Sequence, residues 1–124
     1  MPRPTPPRVL LVEDNTRLRR AFASYLRGEG FQVDEASDGE QGLAQMHQTL
    51  PDIVVLDLVM PVMDGRTFAS ACRKDPLLAP VPIVVLSGAD ELSEAVESVG
   101  ARAGLAKPID LDVLAAVVQR IVAA

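Results

Sequence analysis

Two hydrophobic rhythms alternate along this chain. Short runs at residues 9–12, 53–56 and 83–86 are apolar at every position, and between them apolar residues recur every three or four positions. A continuous β-branched run suits a strand covered on both faces, whereas the wider spacing suits a helix with one buried face. The pattern predicts strands at 9–12, 32–36, 53–57, 83–86 and 104–106, the second being weaker because charges separate Val33 from Ala36. Between them, Leu18, Ala21, Phe22, Tyr25 and Leu26 share one helical face that Gly28 and Gly30 end. Asp38 with Gln41 three residues on is a capping-box signature, opening a helix with Leu43, Met46 and Leu50 inward until Pro51 forbids it. Beyond Gly65 a helix carries Phe68, Ala71 and Cys72, the next carries Leu92, Ala95, Val96 and Val99 up to Gly100, and the last starts near Asp110.

Five strands alternating with five helices through short connections predict an α/β fold, a parallel sheet with helices on both faces and right-handed crossovers. At 124 residues the chain suffices for one domain that buries roughly two-thirds of its unfolded surface. Only 3% of residues are aromatic, so the core must be aliphatic. A net charge of −5 argues against a general nucleic-acid binder. The single cysteine, Cys72, allows no internal disulfide and suits a reducing compartment. No apolar stretch approaches the roughly 20 residues that span a bilayer. The Pro-rich start, residues 1–7, reads as an extended lead-in to a domain at 8–124, without the apolar core of a secretory signal. A cytoplasmic protein is the expectation.

The polar residues fall at the strand ends. Glu13 and Asp14 follow the first strand, Asp57 ends the third, Ser87 the fourth and Lys107 the fifth. In a parallel sheet the carboxyl ends point one way, so these side chains can converge at the edge where open α/β sheets place their chemistry. Three carboxylates together repel unless a cation sits among them. Hard oxygen donors without His or Cys suit Mg²⁺.

The segments LLVEDN at 10–15, VVLDLVMPVMDG at 54–65, VVLSGA at 84–89 and Lys107-Pro108 resemble the receiver domains of two-component response regulators, and the resemblance covers residues 8–124. It implies a flavodoxin-like (βα)5 fold and a phosphoryl-accepting aspartate, which falls on Asp57. It implies Mg²⁺ held by Asp14, Asp57 and the backbone carbonyl of Val59, with Glu13 acting through water. Ser87 would hydrogen-bond the phosphoryl group, Lys107 would pair with its oxygens, and the Lys107-Pro108 peptide would be cis. The implied donor is a phosphohistidine on a sensor histidine kinase or histidine phosphotransfer protein, and the implied output is a changed contact with a downstream protein. Such a chain catalyses only its own phosphorylation and dephosphorylation.

Other readings fit less well. An aspartate-nucleophile phosphatase of the haloacid-dehalogenase type needs a second acid two residues on, where Val59 stands. A flavin carrier needs a phosphate-cradling loop after the first strand, where Glu13-Asp14 repels phosphate. The alternative that stands is a receiver-shaped interaction module that signals without phosphorylation. No linker or helix-turn-helix follows Val122, so DNA binding is not expected of this chain, and its start at Met1 favours a single-domain regulator.

Several residues outside the constellation invite a reading. His47 has no second ligand nearby and reads as exposed, while Cys72 reads as a small core hydrophobe. Arg17, Arg20 and Arg27, with Arg19 beside them, read first as a solvated face and second as a docking surface for the phosphodonor, since family members dock donor helices there. On the last helix, the stripes Leu114/Val117/Ile121 and Leu111/Ala115/Val118/Val122 are together wider than one core contact uses, which admits a homodimer through that helix. Val59 and Ala89 stand where relatives control hydrolysis, and neither can orient water. Gly104 stands where relatives carry an aromatic ring, and its lack of a side chain is expected to loosen the fifth strand.

Overall fold

The computed structural model describes residues 5–58 and 64–123. Its elements run β1 (Arg8–Val12), α1 (Thr16–Gly28), β2 (Gln32–Ala36), α2 (Gly39–Gln48), β3 (Ile53–Asp57), α3 (Gly65–Lys74), β4 (Ile83–Ser87), α4 (Leu92–Val99), β5 (Ala103–Ala106) and α5 (Leu111–Ala123). A 3-10 turn, Ala89–Glu91, leads into α4. The five strands form one parallel sheet in the order β2-β1-β3-β4-β5. The parallel sheet is the one that the alternation predicts, and its order is the flavodoxin-like one that the resemblance implies.

Strand side chains alternate between faces, and that divides the core in two. Leu10, Val12, Val54, Leu56 and Val85 pack with Met46 of α2, Phe68, Ala69 and Cys72 of α3, and Ala95 and Val99 of α4. Val9, Leu11, Ile53, Val55, Val84 and Leu86 pack with Phe22, Ala23 and Leu26 of α1 and with Leu114, Ala115 and Val118 of α5. β3 and β4 are buried at every position. Each fully buried Val, Leu or Ile stabilises the fold by about 1.5–3 kcal/mol relative to leaving it exposed, so the central strands anchor the site at their ends.

The helices start where short polar side chains satisfy their first N–H groups. Asn15, Asp38 and Asp64 accept from the backbone N–H of Leu18, Gln41 and Thr67, caps worth about 1 kcal/mol each. Gln41 turns back as the capping box requires, but accepts from Ser37 N–H at 3.0 Å. Gly100 ends α4 with φ +71°, a left-handed conformation that favours glycine.

Some expectations about inward faces are corrected. Ala21 is exposed and Leu18 is 44% exposed, where it lines a cleft with Pro108 and Ile109, and α1 buries Phe22, Ala23 and Leu26 instead. In α3 it is Ala69 that is buried, with Ala71 half-buried. α2 ends at Gln48, so Leu50 lies beyond it, exposed. On α5 both stripes serve the core, since Leu111, Val117, Ile121 and Val122 pack half-buried against the residues of the α1 face. At Gly104 the place of a side chain is taken by Leu92 and Val96 of α4, which close over β5.

Candidate functional site

The sheet register brings the strand ends to one edge. Asp57 stands opposite Leu86, and Ser87 opposite Ala106, so β3, β4 and β5 end in step, with Lys107 next in the chain. β1 pairs with β3 through Val12 and Leu56, which puts Glu13 and Asp14 beside Asp57. Asp57, Glu13 and Ser87 are 3%, 2% and 5% exposed, and among the described residues they are the buried polar members of an otherwise apolar core.

One carboxylate oxygen from each of Glu13, Asp14 and Asp57 can be chosen so that all lie within 4.8 Å of one another. Lys107 Nζ donates to Asp57 Oδ1 at 2.8 Å, and its own backbone N–H donates to the Ser87 carbonyl at 2.8 Å. A buried carboxylate is costly without such a charge-assisted bond. One ammonium facing three carboxylates leaves negative charge in excess. Burial pushes the Glu13 carboxyl up to about 7, against the Asn15 N–H bond that favours its ionised form, and the charge of Asp57 adds to the rise. Two buried acids, an exposed third and surplus charge fit a hard divalent cation.

The surroundings brace this edge. Arg19 Nη1 donates to the Glu13 carbonyl at 3.0 Å while its Nε pairs with Glu35. Arg27 pairs with Glu35 too and donates to the Val33 carbonyl at 2.7 Å. The arginines of α1 therefore divide: Arg19 and Arg27 bind the β1 and β2 side, whereas Arg17 and Arg20, with Asn15 and Thr16, line an open pocket of about 670 Å³. Arg19 was not legible as a brace, because helical spacing shows a row but not which members curl back.

Gly65 is required by close approach. A Cβ there would lie 2.7 Å from Leu58 Cα, and its N–H donates to the Leu58 carbonyl at 2.8 Å, drawing together the ends of the segment after Asp57. Val59, whose carbonyl the resemblance assigns to the metal, and the Met60-Pro61 turn lie outside the described residues. The Lys107-Pro108 peptide is cis. Next to it Leu18, Phe22, Leu86, Pro108 and Ile109 join Glu13 and Lys107 around a mostly apolar cleft of about 240 Å³.

Residues considered and set aside behave as such. His47 is exposed and its Nε2 meets Asp75 Oδ2 at 2.8 Å, away from the acidic edge. Cys72 is buried, its Sγ is 3.7 Å from Met46 Sδ, and burial raises its thiol to about 11, so it stays protonated.

Residues 9–119 match the family described as the response regulator receiver domain. Among solved structures, a response regulator from Chloroflexus aurantiacus superposes with a TM-score of 0.89 at 32% identity, covering 97% of this chain and 100% of that one. The chemotaxis response regulator CheY4 of Vibrio cholerae gives 0.86 at 31% identity, covering 94% and 99%. Protein PilH of Pseudomonas aeruginosa is 30% identical over 94% of this chain and 98% of its own length. Other relatives are longer: the chain spans 34% of a transcriptional regulator of Guillardia theta called ycf27 and 23% of the response regulator PleD of Caulobacter vibrioides.

Proposed function

Because the chain belongs to the response regulator receiver family of two-component signalling, we propose that it takes a phosphoryl group onto Asp57 from a phosphohistidine partner and signals through changed protein contacts. What carries this reading is the buried Asp57, held by Lys107 at 2.8 Å with the Glu13 and Asp14 carboxylates gathered beside it.

The chemistry follows from these residues. An Asp57 carboxylate oxygen attacks phosphorus in line as the N–P bond of the phosphohistidine breaks, and its electron pair leaves with the imidazole. Attack of an anion on an anion needs positive charge placed in advance. Lys107 supplies it, held by its bond to Asp57 and by its backbone bond to Ser87. The Ser87 hydroxyl donates to a phosphoryl oxygen. Glu13, Asp14 and Asp57, with the Val59 carbonyl, would hold Mg²⁺, which when bound neutralises charge on the phosphoryl oxygens. Water later hydrolyses the aspartyl phosphate.

The partners in this reading are a sensor histidine kinase or a histidine phosphotransfer protein, then a downstream protein. A second copy is a further candidate at the groove where Val117 and Ile121 of α5 meet Arg102, Ala103 and Arg120. Sedimentation with and without beryllofluoride, a phosphoryl mimic, tests that contact, and a monomer in both states removes it. No helix among the described residues is long and apolar enough to cross a membrane. The buried free thiol of Cys72 fits a cytoplasmic setting.

Incubation with acetyl phosphate and Mg²⁺ should give a hydroxylamine-labile phosphate that Asp57→Asn lacks. If wild type incorporates none from acetyl phosphate or from a histidine kinase, the chain is a receiver-shaped module that signals without phosphorylation.

A further inference from the structure

Glu13 is fastened at its N–H, its carbonyl and its carboxylate. The N–H donates to the Ala36 carbonyl of β2 at 3.0 Å, the carbonyl accepts from Arg19 Nη1 at 3.0 Å, and Oε2 accepts from Asn15 N–H at 3.1 Å. The first and last of these meet main-chain partners, so they do not depend on which side chains stand opposite. The middle one depends on a single side chain, the guanidinium of Arg19.

That guanidinium is held in a particular way. A cation beside clustered carboxylates is drawn to pair with one of them, and Glu13, Asp14 and Asp57 offer oxygens within 4.8 Å of one another. Lys107 pairs in that manner with Asp57. Arg19 instead puts Nη1 on the main chain of Glu13 and Nε on Glu35 Oε1 at 3.3 Å. Glu35 is anchored for the purpose. Its other carboxylate oxygen accepts from Arg27 Nη1 at 3.2 Å, and its carbonyl accepts from Gln45 Nε2 of α2 at 2.7 Å. The Arg19 side chain is 13% exposed and that of Arg27 49%, so Arg19 is the enclosed member of the pair.

We propose that Arg19 is a positioning residue for the divalent cation: Glu35 turns its guanidinium away from the carboxylates, and the guanidinium fixes the main chain from which the Glu13 carboxylate reaches Asp14 and Asp57. The proposal rests on the reading that Mg²⁺ is held at the acidic edge. Arg19 makes no bond to the metal, and its charge by itself opposes binding, since like charges repel. The two effects therefore have opposite signs. Charge alone makes Mg²⁺ bind more tightly once Arg19 is neutralised, whereas positioning makes it bind more weakly.

Calorimetric titration of the metal-free protein with Mg²⁺ reads the sign. Arg19→Met keeps the stem and loses both charge and fork, and it should raise the Mg²⁺ Kd roughly tenfold. Glu35→Ala should raise it too, and the double variant should be no weaker than the weaker single, because both break the same relay. Independent charge effects would instead cancel in the double variant. Arg27→Met takes the same charge from Glu35 without touching Glu13, and should leave the Kd within about twofold.

Tighter or unchanged binding in Arg19→Met overturns the positioning role. So does an equal weakening in Arg27→Met, which would make a loosened β2 the cause, and so does a double variant restored to wild-type affinity. Where Arg19→Met fails to fold, Arg19→Lys decides, since it keeps the charge and lacks the fork: weaker binding supports the proposal and an unchanged Kd overturns it. A wild type that binds no Mg²⁺ overturns the metal reading together with the proposal, whereas wild-type binding that the variants leave unchanged overturns the proposal alone.

Discussion

Lys107 and Asp57 are joined by a 2.8 Å hydrogen bond although they end strands separated by β4. The lysine reaches across Ser87, whose carbonyl accepts from its backbone N–H. The Asp57 side chain is 4% exposed and that of Lys107 40%, so the acid depends on the base more than the reverse. Lys107→Ala should therefore destabilise the protein by about 1–3 kcal/mol, because it removes the charge-assisted bond of a buried carboxylate. Phosphorylation should slow at the same time. Urea unfolding and labelling by acetyl phosphate check the two effects separately, and an unchanged stability would show that Asp57 does not need the ammonium.

Asp57→Asn should abolish phosphate incorporation and keep the fold. It also removes a negative charge next to Glu13 and Asp14, so stability in EDTA should rise by roughly 1 kcal/mol. Exposed Lys107 loses little, since water can solvate it. Phosphate appearing on another residue in this variant would displace Asp57 as the acceptor.

Glu13 makes the metal-free protein sensitive to pH. Its carboxyl sits at about 7 in the fold against 4.5 as a reference, raised first by burial. A raised carboxyl stabilises the fold below the unfolded value, and that contribution is lost as pH climbs through the folded value. Stability in EDTA should accordingly fall between about pH 5 and pH 8, by no more than ~3 kcal/mol. Mg²⁺ competes with the proton, so its affinity should rise over the same interval. Thermal unfolding in EDTA at the two pH values measures the slope, and Glu13→Gln should flatten it.

Arg17 and Arg20 face solvent beside the acidic edge, while Arg19 and Arg27 are engaged with Glu35 and β2. Neutralising the first pair should slow phosphotransfer from the cognate kinase, through lost electrostatic steering, and leave acetyl phosphate labelling intact. Equal loss in both assays would rule out docking as the cause.

The aspartyl phosphate should be long-lived. Ala89 opens the 3-10 turn exposed, with no group to orient water. Ala89→Glu or Ala89→Asn should speed hydrolysis severalfold, read as loss of label over time. An unchanged rate would remove this position from control of the phosphate.

The strand ends and their polar residues were legible because burial on both faces writes a continuous apolar run, and a charge closing such a run stands out. Residues 32–36, the weakest run, became β2 with those bounds. Side-chain direction was not legible at the start of α1. Leu18 keeps the periodicity of α1 yet lines the cleft beside Lys107 with Pro108 and Ile109. The width of the apolar surface on α5 has two uses: Leu111, Val117 and Ile121 pack half-buried against the core, and Val117 and Ile121 also line the groove beside Arg102 and Ala103. Gly104 shows best what one chain position cannot tell. It reads as a missing side chain, and only the fold reveals that Leu92 and Val96 from the preceding helix take its place.

The bond from Gly65 N–H to the Leu58 carbonyl works as a clasp between β3 and α3. It ties the residue after β3 directly to the first residue of α3, next to the Asp64 cap that accepts from Thr67 N–H. Gly65 cannot be replaced without cost, since a methyl group there would meet the Leu58 backbone and force the clasp open. One glycine thus couples the strand that carries Asp57 to the helix that follows it.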